Sequence, residues 1–127
     1  MLITKNEESF YTLDFDHVAL TVRDLKESIS FYSKLGYKLI NIFNDEDYNW
    51  ATLDLNNHIL ELFEKKVNKE DNMDHIAYSY SDFDEIEQLI NSLGYKKEEL
   101  DIFYGDLNRE SFCIKDNDGR TIQFIKK

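Results

Sequence analysis

The sequence predicts an α+β fold built from two tandem β-α-β-β-β units that share one sheet. Two observations carry this. DHVALTVRDL at 16 to 25 recurs as DHIAYSYSDF at 74 to 83, and LGYK at 35 to 38 recurs at 93 to 96, both at an offset of 58 residues. The chain is therefore an internal duplication. Within each copy, stretches that alternate apolar and polar residues, as strands do, flank one segment whose apolar residues recur at helical spacing. The duplication puts His17 and His75 at equivalent points of the two copies. A pseudo-two-fold axis would bring them together.

In the first copy Val18, Leu20 and Val22 alternate with His17, Ala19 and Thr21, so a strand buries the first set and turns the second to the opposite face. Asp24 caps a helix over 24 to 35, where Leu25, Ile29, Tyr32 and Leu35 form the apolar stripe and Gly36 supplies the stop. KLINIFN at 38 to 44, YNWATLDL at 48 to 55 and HILELFE at 58 to 64 read as strands, with turns at NDED and at Asn56-Asn57. The second copy repeats the order: strand DHIAYSY, a helix over 82 to 93 ended by Gly94, then strands near 100 to 104, 110 to 115 and 121 to 126. Asp118-Gly119 closes its last hairpin. Gln123 in TIQFI occupies the place of Glu61 in ILELF at an offset of 62, so the second copy carries four extra residues, expected near 97 to 110. Residues 1 to 13 form an N-terminal extension, expected as an edge strand or arm. Residues 14 to 127 form a single domain with modules at 14 to 64 and 73 to 127. With no proline and no flexible linker, the modules pack directly on each other.

A chain of 127 residues buries roughly 65 to 70% of its unfolded surface, enough to fold alone. Fifteen Lys and Arg against 26 Asp and Glu give a net charge of -11. That balance argues against nucleic acid or an anionic membrane as a partner and for a neutral or cationic small molecule. The single cysteine, Cys113, excludes an intramolecular disulfide and reads as a structural strand residue. Residues 1 to 13 carry no long apolar run, and nothing approaches the roughly 18 apolar residues of a membrane span. A soluble, reduced, cytoplasmic protein is the expectation.

The pieces DHVALTVRDLKESISFYSKLGY, LEL at 60 to 62, DHIAYSYSDFDEIEQLINSLGY and KDNDGRTIQF occur in an order that resembles the vicinal oxygen chelate superfamily, the glyoxalase, bleomycin resistance protein and extradiol dioxygenase fold. The resemblance covers about residues 14 to 127. It implies a curved mixed sheet with helices on the convex side and a ligand on the concave side, with metal ligands on the first and last strands of each module. Carried over residue by residue, those positions are His17, Glu61, His75 and Gln123. Two imidazoles, a carboxylate and an amide oxygen suit a borderline divalent metal such as Ni, Co, Zn, Mn or Fe. Glyoxalase I-like members typically have a glutamate at the last-strand position. Here it is Gln123, whose amide takes up no proton at neutral pH, which leaves Glu61 as the catalytic base.

Trp50, Thr52 and Phe63 fall on the same face as Glu61 and are expected to line a substrate pocket, with Tyr104 and Gly105 in a loop over it. His58 follows a turn and is expected to be exposed. Two functions follow from different classes. One is a metal-dependent lyase or isomerase of glyoxalase type acting on a small α-oxo or hydroxy-carbonyl compound. The other is a metal-free protein of bleomycin resistance type that sequesters a cationic drug. The charge and Trp50 favour the second, and the intact set of His17, Glu61 and His75 favours the first. The resemblance also implies a homodimer.

Overall fold

Each copy folds as its alternation requires. The computed structural model describes residues 13–66 and 72–127. In the first copy β1 (Asp14–Val22) leads into α1 (Leu25–Lys34) and then the antiparallel strands β2 (Lys38–Asn44), β3 (Tyr48–Leu55) and β4 (His58–Lys65). The second copy follows with β5 (His75–Tyr80), α2 (Phe83–Ser92), β6 (Phe103–Tyr104), β7 (Glu110–Lys115) and β8 (Thr121–Lys126). All eight strands join one mixed, curved sheet in the order β2-β3-β4-β1-β5-β8-β7-β6. Strand β1 runs parallel to β4, β5 runs parallel to β8, and β1 meets β5 antiparallel.

Both helices cover the same face. Under α1 lie Leu25, Ala51, Leu53, Leu60 and Leu62, joined by Val18, Leu20 and Val22. Under α2 lie Tyr80, Phe83, Ile86, Ile90, Phe112, Ile114 and Phe124. Each module therefore buries its own apolar layer, which is what the period of two in the strands and the helical stripe together demand. Asp24 accepts from the Glu27 backbone N–H at 3.0 Å, and Asp82 accepts from that of Asp84 at 3.1 Å, capping the two helices. The α1 start is fastened to β4 as well, because the Leu25 N–H donates to Glu64 Oε2 at 2.6 Å.

The junction between the modules sets the symmetry. Val18 pairs with Ile76 across β1 and β5, and these two residues are each other's equivalents under the 58-residue repeat. The pseudo-two-fold axis therefore passes through this pair. One residue to either side, His17 faces Ala77 and Ala19 faces His75. On the outer flanks Glu61 is in register with Ala19, and Gln123 with Ala77. Ala19 and Ala77 are equivalents, so Glu61 and Gln123 hold equivalent places despite their offset of 62. All of these side chains project from the face opposite the helices.

One expectation is corrected by the structure, and another lies outside the described residues. The strand near 100 to 104 shrinks to the two residues of β6, because the chain before it spends its backbone N–H groups in a 3-10 turn at Lys97–Glu99, with Glu99 donating to Lys96 and Leu100 to Lys97. The N-terminal extension falls at residues 1–12, outside the described residues, except that Leu13 packs against the second module's core. Among the described residues no helix is long and apolar enough to cross a membrane.

Both helices end in the same hydrogen-bonded motif. Gly36 and Gly94 have φ of 111° and 95°, and the residues after them, Tyr37 and Tyr95, donate back to the Tyr32 and Ile90 carbonyls. A Cβ on Gly36 would meet Leu55 Cδ1 at 3.3 Å, whereas one on Gly94 would meet nothing within 4 Å. Gly94→Ala should therefore lose about 1–2 kcal/mol from backbone strain alone, and Gly36→Ala should lose more. Denaturant unfolding of both variants checks the order, and equal losses would contradict the packing at Leu55.

Candidate functional site

The sheet register decides which side chains meet. With His17 and His75 diagonally opposed across β1 and β5, their Nε2 atoms lie 3.0 Å apart. Glu61 reaches in from β4, its Oε1 at 3.3 Å from His17 Nε2. Donor atoms of these three residues all fall within 4.8 Å of one another. His17 is 4% exposed, and His75 and Glu61 are half-buried.

Each imidazole is oriented from behind. His17 Nδ1 donates to Asp16 Oδ1 at 2.7 Å, and His75 Nδ1 donates to the Met73 carbonyl at 2.7 Å. Those acceptors assign the proton of each neutral ring to Nδ1, which leaves both Nε2 atoms with a lone pair directed at the other ring. The Glu61 oxygen brings further lone pairs. Two imidazole lone pairs and a carboxylate oxygen thus converge on one point, an arrangement suited to a shared cation, either a proton or a metal ion. Separations of 3.0 and 3.3 Å are those that ligands about 2.1 Å from one ion subtend at about 90–105°. The backing of a coordinating histidine by a carboxylate or carbonyl is also what metal centres use to fix ring orientation.

The segment before β5 is built to hold Met73 and His75 in place. Thr21 at the end of β1 donates its backbone N–H to Asp74 at 2.6 Å and its hydroxyl to Asn72 at 3.2 Å, and receives the Met73 N–H at 2.9 Å. Asp16 and Asp74 are repeat equivalents with different duties. One carboxylate orients an imidazole, the other fastens a loop.

These residues open into a cavity of about 350 Å³. Gln123 lines it beside His17, Glu61 and His75, as do Trp50 and Phe63. Trp50 is stacked between Phe43 and Phe63, with ring centres 4.0 and 5.2 Å away, so the wall residues Trp50 and Phe63 belong to a row of three near-parallel rings that Phe43 completes outside the cavity lining. Thr52 pairs with Glu61 on the same face but is not part of the cavity wall. Tyr104 is also absent from that wall. The register of β6 with β7 sets Phe103 beside Ser111 and Tyr104 beside Glu110, so alternation gives the cavity Phe103 and leaves Tyr104 62% exposed on the other side. Gly105 lines the wall as expected, and His58 is exposed.

Cys113, Ser111 and Arg109 are among the wall residues that carried no functional reading in the sequence. Cys113 is paired with Gln123 and faces the cavity rather than the core, and burial raises its thiol pKa. Alternation in ESFCIK, with Phe112 and Ile114 buried, was the signal for Ser111 and Cys113. Arg109, from the loop before β7, had no such signal. Its Nη1 lies 3.4 Å from Asp16 Oδ2.

The model of the Glyoxalase/Bleomycin resistance protein/Dioxygenase superfamily matches residues 14–124. No curated protein matches the sequence. Among solved structures, a hypothetical protein of Bacillus halodurans superposes with a TM-score of 0.69 at 17% identity, over 91% of this chain and 95% of that one. Methylmalonyl-CoA epimerase from Mycobacterium tuberculosis gives 0.66 at 22% identity, over 99% and 92%. The 2,2',3-trihydroxybiphenyl 1,2-dioxygenase of Sphingomonas wittichii gives 0.64 at 16%, over 98% of this chain and 45% of that one. At these identities the likeness shows a shared fold.

Besides Cys113, two groups at the site titrate away from their ordinary values. Burial, then the neighbouring His17 ring, holds the His75 pKa below 6.5. The hydrogen bond from His17 holds Asp16 below the usual carboxylate value. Since the unfolded chain protonates His75 where the folded chain keeps it neutral, its contribution to stability is full above about pH 6.5 and is lost as pH falls through the lower folded value. Asp16 acts in the same sense at lower pH. Imidazole NMR of metal-free protein should place the His75 midpoint below 6.5, and His75→Gln should flatten the fall in stability between about pH 7 and pH 5. A midpoint at or above 6.5 would contradict this environment.

Proposed function

The chain belongs to the glyoxalase/bleomycin resistance protein/dioxygenase superfamily, and from that premise we propose that it is a metal-dependent isomerase or lyase of glyoxalase type acting on a small α-oxo or hydroxy-carbonyl compound. The observation that carries the reading is the convergence of His17, Glu61 and His75, whose ligand atoms all lie within 4.8 Å of one another with both imidazole Nε2 atoms turned inward. His17, His75 and Glu61 would hold the ion, with Gln123 as the fourth, neutral ligand. A divalent ion of the Ni, Co, Zn, Mn or Fe group, when bound, supplies Lewis-acid polarisation of a substrate carbonyl.

The remaining work falls to the chain's own groups. Glu61 would remove the proton from the hydroxyl-bearing carbon next to the carbonyl and return it to the former carbonyl carbon, while the hydroxyl proton passes to the former carbonyl oxygen, so that the two carbons exchange oxidation level and no atom is gained or lost. Gln123 carries no exchangeable base and orients the substrate oxygen through its amide. Trp50, Phe63 and Phe103 keep water from the reacting carbons. A second reading, in which the protein binds a flat ligand without turnover, is favoured by the Phe43, Trp50 and Phe63 stack. It leaves that convergence without a purpose.

Protein purified without chelator should contain about one divalent ion per chain, and the His17→Ala, His75→Ala double variant should contain almost none. With Ni, Co or Zn supplied, the wild type should turn over methylglyoxal-thiol hemithioacetals. Glu61→Gln should lower that rate by two or more orders of magnitude, roughly the contribution of a general base, and Gln123→Glu should retain it. Metal content unchanged in the double variant would refute the ligand set. An active Glu61→Gln variant would refute the base, and no turnover by any form would favour the binding protein.

A further inference from the structure

Building on that reading of the site, we propose that Arg109 is an anion anchor in the cavity and that the substrate is a small 2-oxo or 2-hydroxy acid whose carboxylate it holds. Among the described residues lining this cavity, Arg109 is the only lysine or arginine, in a chain of net charge -11. The carboxylates of Glu61 and Asp74 also line the cavity, so among its side chains this guanidinium is the one fixed positive charge that an acid would meet.

The guanidinium is underused. It offers five N–H donors, yet its Nη1 makes one long contact of 3.4 Å with Asp16, and its Nε is buried with no hydrogen-bond partner. A buried donor without an acceptor is costly, and a carboxylate satisfies a guanidinium edge with two parallel hydrogen bonds. The side chain as a whole lines the cavity and stays 28% exposed.

The loop presenting Arg109 is strained. Leu107 and Asn108 both adopt left-handed backbone, with φ of 58° and 56°, the former an unfavourable state for a branched side chain. The turn is closed by the Asn108 N–H on the Gly105 carbonyl at 2.9 Å. The Arg109 carbonyl receives the Gly105 N–H at 3.3 Å and the Ser111 hydroxyl at 3.3 Å. What this geometry secures is the position of Arg109 on the cavity wall. The volume of about 350 Å³ matches a small molecule, and Trp50, Phe63, Phe103 and Ile125 supply apolar walls for its carbon skeleton.

The rival role for Arg109 is a tether for Asp16, which orients His17. Titration of pyruvate, pyruvamide and inorganic phosphate into the full chain with Co(II) supplied separates the two, followed by the emission of Trp50, the single tryptophan. Calorimetry measures Co(II) affinity independently. The wild type should bind pyruvate about tenfold or more tighter than pyruvamide. Arg109→Gln should abolish that preference with Co(II) affinity unchanged, and Arg109→Lys should keep part of it. Equal affinity of the wild type for pyruvate and pyruvamide, or a preference that survives in Arg109→Gln, would overturn the proposal. Loss of Co(II) together with pyruvate in Arg109→Gln would make Arg109 a tether, and tighter binding of phosphate than of pyruvate would overturn the carboxylate assignment. If the wild type takes up no Co(II) yet keeps an Arg109-dependent preference for pyruvate, the metal reading fails and the anchor stands.

Discussion

The antiparallel pairing of β1 with β5, centred on Val18 and Ile76, is the constraint on which the rest of the molecule depends. A backbone ladder fixes its own register, and this register decides that two histidines 58 positions apart share one point. A slip of one residue would turn one of the two rings into the apolar layer beneath the helices and leave the other alone on the open face. The residues that permit the convergence are the small ones. Ala19 and Ala77 sit beside Glu61 and Gln123 and are covered completely, so that the polar side chains from four strands lean over them instead of being held apart.

Electrostatics then gives the convergence its chemistry. In an acidic chain, two imidazole lone pairs and a carboxylate oxygen converge while Asp16 and the Met73 carbonyl hold both ring protons on the far side. The folded chain has in effect prepared a position for positive charge. Arg109 is a second, fixed source of it on the same wall, joined to His17 through Asp16. The cavity wall thus sets a demand for a cation beside a fixed guanidinium, with Asp16 shared between them.

Much of the architecture was legible because it rests on patterns with a fixed period. The alternation of Val18, Leu20 and Val22 located β1 and its faces, the motifs around Asp24 and Asp82 located both helices, and the repeat located the axis. The repeat also paired His17 with His75, whereas Glu61 and Gln123 came from the resemblance to the superfamily, with alternation only agreeing. What the sequence concealed lies where no period holds. Arg109 reaches the cavity through a loop of left-handed residues, and Phe103 rather than Tyr104 faces inward because β6 is two residues long and takes its phase from β7. Cys113 was readable from alternation, and a lone cysteine in a strand was instead taken for packing. Met73, which orients His75, acts through its backbone carbonyl, and backbone leaves no trace in side-chain chemistry.

The axis through Val18 and Ile76 has an evolutionary corollary. A centre assembled by two identical polypeptides must change in matched pairs, since any substitution appears on both sides at once. Joining the halves in one chain removes that coupling. Here it has let the equivalent places of the two modules diverge into Glu61 and Gln123, and the equivalent aspartates into an imidazole partner and a loop fastener. Covalent tandem duplication has turned a symmetric scaffold into a handed one, with an acidic and a neutral side.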